Sequence, residues 1–261
     1  MTTLRDIAWA QEGHVTVIEI RRPPNNFLDV ELIGDIATVL EQLDDDAQCR
    51  AVVLAAAGKH FCAGGNLKQR LEVEARGEKF VPSGRHVYLE ARRLVQTRKP
   101  VIAAVHGAAI GAGLGLAVVT DFRVTCKEAR FAANFNAIGF APGFGLTYTL
   151  PRLVGQQRAR ELFYSGRRIP GDEAHAIGLA DRLVAQEDVR AAAVAMGNEI
   201  ARCAPLSIQA TRDILNVEHI AAFRAATERE AFAQNILRET NDYREGVEAA
   251  NERRDPVFTG T

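Results

Sequence analysis

Residues 50–70, RAVVLAAAGKHFCAGGNLKQR, join two contrasting halves. The run from Arg50 to Ala57 is almost continuously apolar, the pattern of a strand buried on both faces of a sheet. The remainder, Gly58 to Arg70, gathers a histidine, a cysteine, adjacent glycines and two lysines. Such a segment can be a glycine-rich turn, a thiol or metal site on His60 and Cys62, or a loop whose backbone N–H groups face a ligand. The flanking sequence has to decide among them.

Upstream, HVTVIEI (His14 to Ile20) alternates apolar and polar residues and predicts a strand, and PPNN then breaks the chain. From Asp29 the apolar positions Leu32, Ile33, Ile36, Val39, Leu40 and Leu43 fall at helical spacing. Downstream, the helical pattern of RHVYLEARRLVQTR precedes a second buried-strand run, PVIAAVHG (Pro100 to Gly107). Strand–helix–strand repetition predicts an α/β fold with right-handed crossovers. After Asp188 the pattern is helical in three segments: VRAAAVAMGNEIARCA, PLSIQATRDIL, and a long run from His219 to Leu237. A soft boundary is expected near residue 200, with an α/β core over 1–200 and a helical region over 201–261.

With 261 residues, 47% of them hydrophobic, the chain can bury a large core. Its 32 basic and 33 acidic residues nearly cancel, which leaves no electrostatic footprint for nucleic acid or an anionic membrane surface. No apolar run approaches the length of a membrane span, and the N-terminus lacks a secretory pattern. Cys49, Cys62, Cys126 and Cys203 are scattered without a CxxC pair, which suits reduced thiols. A soluble, cytoplasmic protein is the expectation. His60 and Cys62 have no further ligand at zinc-like spacing, and no base signature accompanies the thiol. No metal is expected, and Cys62 reads as a small buried hydrophobe.

A second glycine-rich segment, VIAAVHGAAIGAGLGLAVVTD, also follows a buried strand, so both lie at the strand-exit edge where open α/β folds bind ligands. Gly111, Gly113 and Gly115 open an apolar helical run whose first N–H groups lack intrahelical partners. Taken alone, Gly113 and Gly115 read as small residues that let a buried helix pack closely. A dinucleotide fingerprint starting at Gly111 fails at Leu116, and no phosphate-gripping Lys-Ser/Thr pair is present.

RRPPNN, FCAGGNL, VIAAVHGAAIGAGLGLAVVTDFRV, ARFAANFNAIGFAPGFGLTYTLPRLVG and EAHAIGLADRLV occur in one order and spacing. In these stretches the chain resembles the crotonase, or enoyl-CoA hydratase/isomerase, superfamily over nearly its whole length. The resemblance implies an α/β, crotonase-like spiral of ββα units with a helical C-terminal trimerisation region, assembled as a homotrimer or a dimer of trimers. It implies a lyase or isomerase of fatty acid metabolism whose ligand is an acyl-coenzyme A thioester, with no separate cofactor. The oxyanion of a thioester enolate needs preorganised donors. The resemblance assigns them to the backbone N–H groups of Gly65 and Ala112, glycine at 65 allowing an unusual backbone conformation and close approach of the thioester. It likewise places Lys59, Ala63, Lys68 and Arg22 along the coenzyme A portion. The stripe Ile220, Phe223, Ala226, Ala231, Phe232 and Ile236 is expected to meet neighbouring subunits.

The chain departs from the family at the acid/base positions. Hydratases of the family use two glutamates, and here those positions read Gly115 and Phe135; a third location used by some isomerases is Gly143. Glycine and phenylalanine transfer no proton, so two-glutamate hydration is not implied. Three readings stand. Acid/base groups come from elsewhere, such as Glu72, Glu74, Glu78 or Glu90, or Asn66, Asn134 and Asn136 position water. Alternatively a malonyl-type thioester is decarboxylated with no base, or the protein is a catalytically silent acyl-CoA-binding oligomer.

Overall fold

The apolar runs become the inner strands of a seven-stranded sheet. A computed structural model of the chain describes residues 1–67 and 86–261. The sheet begins antiparallel with β1 (Thr2–Leu4), β2 (Ile7–Glu12) and β3 (Val15–Ile20). It continues in parallel through β4 (Ala51–Ala56), β5 (Val101–Val105), β7 (Phe122–Thr125) and β10 (Arg182–Leu183). Val15 pairs with Ala51 and Ile20 with Ala56, so β3 and β4 are in register along their whole length. A second sheet pairs β6 (Ala108–Ile110), β8 (Arg130–Ala132) and β9 (Ile169–Pro170) in the order β6-β8-β9.

Helix α1 (Val30–Asp44) starts at Asp29, whose carboxylate accepts the Leu32 N–H at 2.8 Å, and its Leu32, Ile33, Ile36, Leu40 and Leu43 are buried as their spacing predicts. Helix α2 (Val87–Leu94) packs against α1. Helix α3 (Ala112–Val118) follows β6 directly, and α4 (Leu146–Val154), α5 (Gln156–Ser165) and α6 (Gly171–Ala176) come next. Helix α7 (Val189–Ala201) lies across β3, β4, β5 and β7, where Gly197 brings it against Val15.

The two C-terminal segments expected before residue 237 form one 33-residue helix, α8 (Pro205–Leu237). No glycine or proline lies between them to interrupt the backbone ladder. Helix α9 (Asn241–Glu252) follows, capped by Thr240, whose hydroxyl accepts the Tyr243 N–H. The expected apolar stripe on α8 divides. Phe223 and Ala226 are fully buried in the fold of their own chain, Phe223 against Gly145, where a β-carbon would lie 2.1 Å from its ring. Phe232 and Ile236 face solvent, as do Leu206, Ile214, Leu215 and Val217. Among the described residues no helix is long and apolar enough to cross a membrane.

Candidate thioester site

The loop after β4 has little regular structure, yet both of its flanks are hydrogen-bonded. On one side Cys62 bridges to β6: its N–H donates to Ala108 O at 2.9 Å, and its carbonyl accepts the Ile110 N–H at 3.0 Å. On the other side the Ala63 N–H donates to Asn25 O and the Leu28 N–H to Gly64 O. Asn26 locks the arrangement. It is fully buried with φ at 50°, its Nδ2 donates to Ala57 O at 2.8 Å and His60 O at 2.7 Å, and its Oδ1 accepts the Arg22 N–H at 2.9 Å. The PPNN break thus does more than turn the chain: its second asparagine, tolerant of a left-handed backbone, ties two loops together.

This clamp sets Gly64 and Gly65 beside the start of α3. A β-carbon on Gly64 would lie 2.7 Å from Ile110 O and 3.8 Å from the Ala112 nitrogen, and Gly64 has φ of +87°. The special backbone conformation expected of Gly65 therefore belongs to Gly64. Gly65 lies outside the left-handed region, and a β-carbon there would meet nothing within 4 Å. Ala112 is the first residue of α3, after Gly111 with φ of 55°, so its N–H has no intrahelical acceptor. Close packing explains Gly113, where a β-carbon would sit 2.1 Å from Cys62 O.

The predicted coenzyme A contacts are placed unequally. Lys59 is exposed, one residue past the glycine that ends the strand-exit turn. Ala63 is half-buried, its N–H spent on Asn25. Lys68 lies outside the described residues, as do Glu72, Glu74 and Glu78. Arg22 is engaged within the chain: it pairs with Asp6 at 2.7 Å and with Asp29 at 2.6 Å, and donates to Phe27 O. Burial alone would lower its pKa, but those two carboxylates hold it above the ordinary arginine value. Through Asp29 it braces the start of α1.

The three positions at which the resemblance implies an acid, Gly115, Phe135 and Gly143, are closely surrounded by other side chains. A β-carbon on Gly115 would lie 2.6 Å from the Phe144 β-carbon and 2.7 Å from its ring. Phe144 is buried with φ of 61°, an unusual backbone for a bulky residue. Phe135 is buried, and a β-carbon on Gly111 would lie 3.9 Å from the tip of its ring and 3.4 Å from Asn134 Oδ1. At Gly143 a β-carbon would collide with the Tyr88 hydroxyl at 1.9 Å and with Gln234 at 2.6 Å. Tyr88 donates to Gln234 Oε1 at 2.7 Å, and burial, then the Glu230 carboxylate, pushes its pKa up.

The nearby carboxylates have structural partners. Glu90 is buried with Arg93 Nη1 2.5 Å from its carboxylate. Glu230 accepts the Gly145 and Thr147 N–H groups and the Thr147 hydroxyl, capping α4, while burial pushes its pKa up. Cys62 is fully buried, and burial pushes its thiol up to about 12, which leaves no nucleophile near neutral pH. Burial, then Lys59 and His106, lowers the His60 pKa. Among the described residues no cluster of histidine, cysteine or carboxylate side chains could hold a metal ion.

The enoyl-CoA hydratase/isomerase family model matches residues 10–261. The chain is 34% identical over 216 residues to a short-chain-enoyl-CoA hydratase of Clostridium acetobutylicum, covering 82% of each protein. It is 31% identical over 254 residues to the 1,2-epoxyphenylacetyl-CoA isomerase of Escherichia coli, covering 95% of this chain and 96% of that one. A crystal structure of an enoyl-CoA hydratase/isomerase from Pseudoalteromonas atlantica superposes with a TM-score of 0.87 at 28% identity, over 97% of this chain and all of that one. The chain belongs to the enoyl-CoA hydratase/isomerase family and has its α/β crotonase fold, with a helical C-terminal region.

Proposed function

We propose that the protein is an acyl-CoA enzyme that holds a thioester enolate between the N–H groups of Gly65 and Ala112 without two-glutamate hydration. The observation that carries this reading is the abutment of the Gly64–Gly65 turn on the first residue of α3. Neither N–H is donated within the chain among the described residues, so both remain for an oxyanion. Lys59 and Lys68 meet the coenzyme A phosphates, with Ala63 also along the coenzyme A portion; Arg22 braces the start of α1 through Asp29.

The aromatic filling of the acid positions favours decarboxylation of a malonyl-type thioester as a second reading. Phe135 next to Gly111 and Phe144 against Gly115 put apolar surface where hydratases put carboxylates. A substrate carboxylate is poorly solvated there, and losing CO₂ yields the enolate without any base. The exposed apolar residues of α8 support a homotrimer or dimer of trimers. Four unpaired cysteines suit a reducing compartment such as the cytoplasm.

Acetoacetyl-CoA tests the site, because it enolises readily without an enzymic base. Bound in the oxyanion hole it is expected to give the near-ultraviolet band of its enolate, with saturable calorimetric binding. Binding without the band would leave a silent acyl-CoA-binding oligomer, and no binding at all would sink the acyl-CoA reading.

A further inference from the structure

Helix α3 offers Ala112 at one end; its other end, about 10 Å away, borders a cavity of about 160 Å³. The walls are Val118 and Val119 at the end of α3, Arg152 of α4, and Arg212, Asn216 and His219 of α8. Arg212 is 8% exposed. Its Nε donates to Lys99 O at 3.2 Å and its Nη2 pairs with Asp121 Oδ2 at 3.0 Å, but its Nη1 is buried with no hydrogen-bond partner. Leaving a cationic N–H unpaired in the interior is costly and rare. The missing partner is an acceptor, and a charged donor prefers an anionic one.

The surroundings favour the same sign of ligand. Arg152 lies over the Tyr148 ring at 5.2 Å, which holds its guanidinium at the cavity, and it has no carboxylate partner among the described residues. Arg123 also borders the cavity, but its donors are spent on Leu179 O, Thr120 O, Asp121 O and Asp181. Asp121 is the opposing charge, and its Oδ2 already accepts from Val101 N–H and Arg212. One positive charge is therefore left over, beside the Asn216 amide and the His219 ring. Burial, then Arg152 and Arg212, lowers the pKa of that ring. A cavity of this size admits a molecule about as large as benzene. That is room for one phosphate or short carboxylate and not for a nucleotide.

We propose that this cavity binds a small oxyanion, a phosphate or short carboxylate, with Arg212 Nη1 and Arg152 as its charged donors and Asn216 beside them. The carboxylate could also be supplied by a side chain of a second copy of the chain, and the test separates the two sources.

The full-length protein is titrated calorimetrically with sodium phosphate and with succinate, at ionic strength held constant by chloride. The expected result is saturable binding of one anion per chain. Arg152→Gln and Arg212→Gln should each weaken it about tenfold or more. Arg152 is on the surface, so Arg152→Gln keeps the test decisive even if Arg212→Gln fails to fold. Absence of saturable binding to tens of millimolar, or wild-type affinity in folded Arg152→Gln, overturns the proposal. Light scattering adds the second arm. If the wild type takes no anion while Arg212→Gln dissociates the oligomer, the acceptor belongs to a second copy and the free-anion site is refuted.

Discussion

The Phe144 ring occupies the volume that a side chain at Gly115 would need: a β-carbon there would lie 2.6 Å from the Phe144 β-carbon. The absence of a glutamate at 115 is therefore built into the packing, because helix α3 has been pressed onto an aromatic ring. Simple introduction of a glutamate at 115 is blocked for this reason.

Crotonyl-CoA hydration by the wild type should accordingly be at least about 10²-fold slower than in two-glutamate relatives, the lower end of what a positioned acid/base contributes. Gly115→Glu combined with Phe135→Glu should lose about 1–3 kcal/mol of stability to overpacking and gain no hydration. Adding Phe144→Ala opens the volume and should recover both stability and some hydration. Loss of the enoyl thioester absorbance measures the rate, and urea midpoints the stability. Fast hydration by the wild type would refute the account.

Asn26 carries a second prediction. Asn26→Ala strands the carbonyls of Ala57 and His60 and the Arg22 N–H, all now satisfied by one buried amide. The expected cost is about 2–4 kcal/mol in chemical denaturation. Acyl-CoA binding should weaken as well, since the same amide positions the loop that leads to Gly65. A destabilisation under about 0.5 kcal/mol, the scale of ordinary surface changes, would show that the loop is held by other means.

The buried strands and the helix after Asp29 were legible because their periodicity follows directly from burial on two faces or one. The glycine loops were legible as strand-exit loops from their place after a strand, and the structure joins the two through the Cys62–Ala109 bridge. Which glycine takes the left-handed backbone was not: sequence favoured Gly65, and the distinction from Gly64 rests on a carbonyl, Ile110 O, that only the folded loop brings near. Asn26 was visible only as a turn former, since the two carbonyls its Nδ2 ties, Ala57 O and His60 O, lie more than thirty residues away. Arg22 looked like a phosphate contact, and its partners Asp6 and Asp29 are spread along the chain. The α8 stripe was legible only in part, because helical spacing says which residues share a face but not that Phe223 and Ala226 turn inward while Phe232 and Ile236 face solvent.

Thiol reactivity should sort by burial. Cys203 is exposed, whereas Cys49, Cys62 and Cys126 are buried. At pH 8 the native protein should therefore yield one fast-reacting thiol per chain and four after denaturation. For Cys62 the folded pKa of about 12 lies above the unfolded value of 9.0. Its contribution to stability is complete below pH 9 and is lost as pH rises toward 12. Compared with Cys62→Ala, the wild type should lose extra stability across that window and not below it. Rapid labelling of a second thiol in the native state would contradict the packing of the Cys62 bridge.

Binding and enolate stabilisation should separate by residue. Lys59 is exposed and carries charge, so it acts on the ground state. Lys59→Ala should weaken acyl-CoA and free CoA alike by about two- to fivefold, the scale of an exposed ion pair, and the difference should shrink at high salt. In the proposed site Gly65 would act where charge develops. Gly65→Ala keeps the N–H, and its β-carbon would meet nothing within 4 Å, so it should retain the acetoacetyl-CoA enolate band. Gly65→Pro removes the N–H, which should reduce the band and any turnover by about 10²–10³-fold while sparing free CoA. The residue before it is glycine, which tolerates the restriction a proline imposes on its predecessor, so the loop can stay folded. Calorimetry with CoA and acetoacetyl-CoA, together with circular dichroism, checks all three variants. A folded Gly65→Pro protein with a full enolate band would end the assignment of Gly65 as an oxyanion donor, and unchanged affinities in Lys59→Ala would remove that lysine from the site.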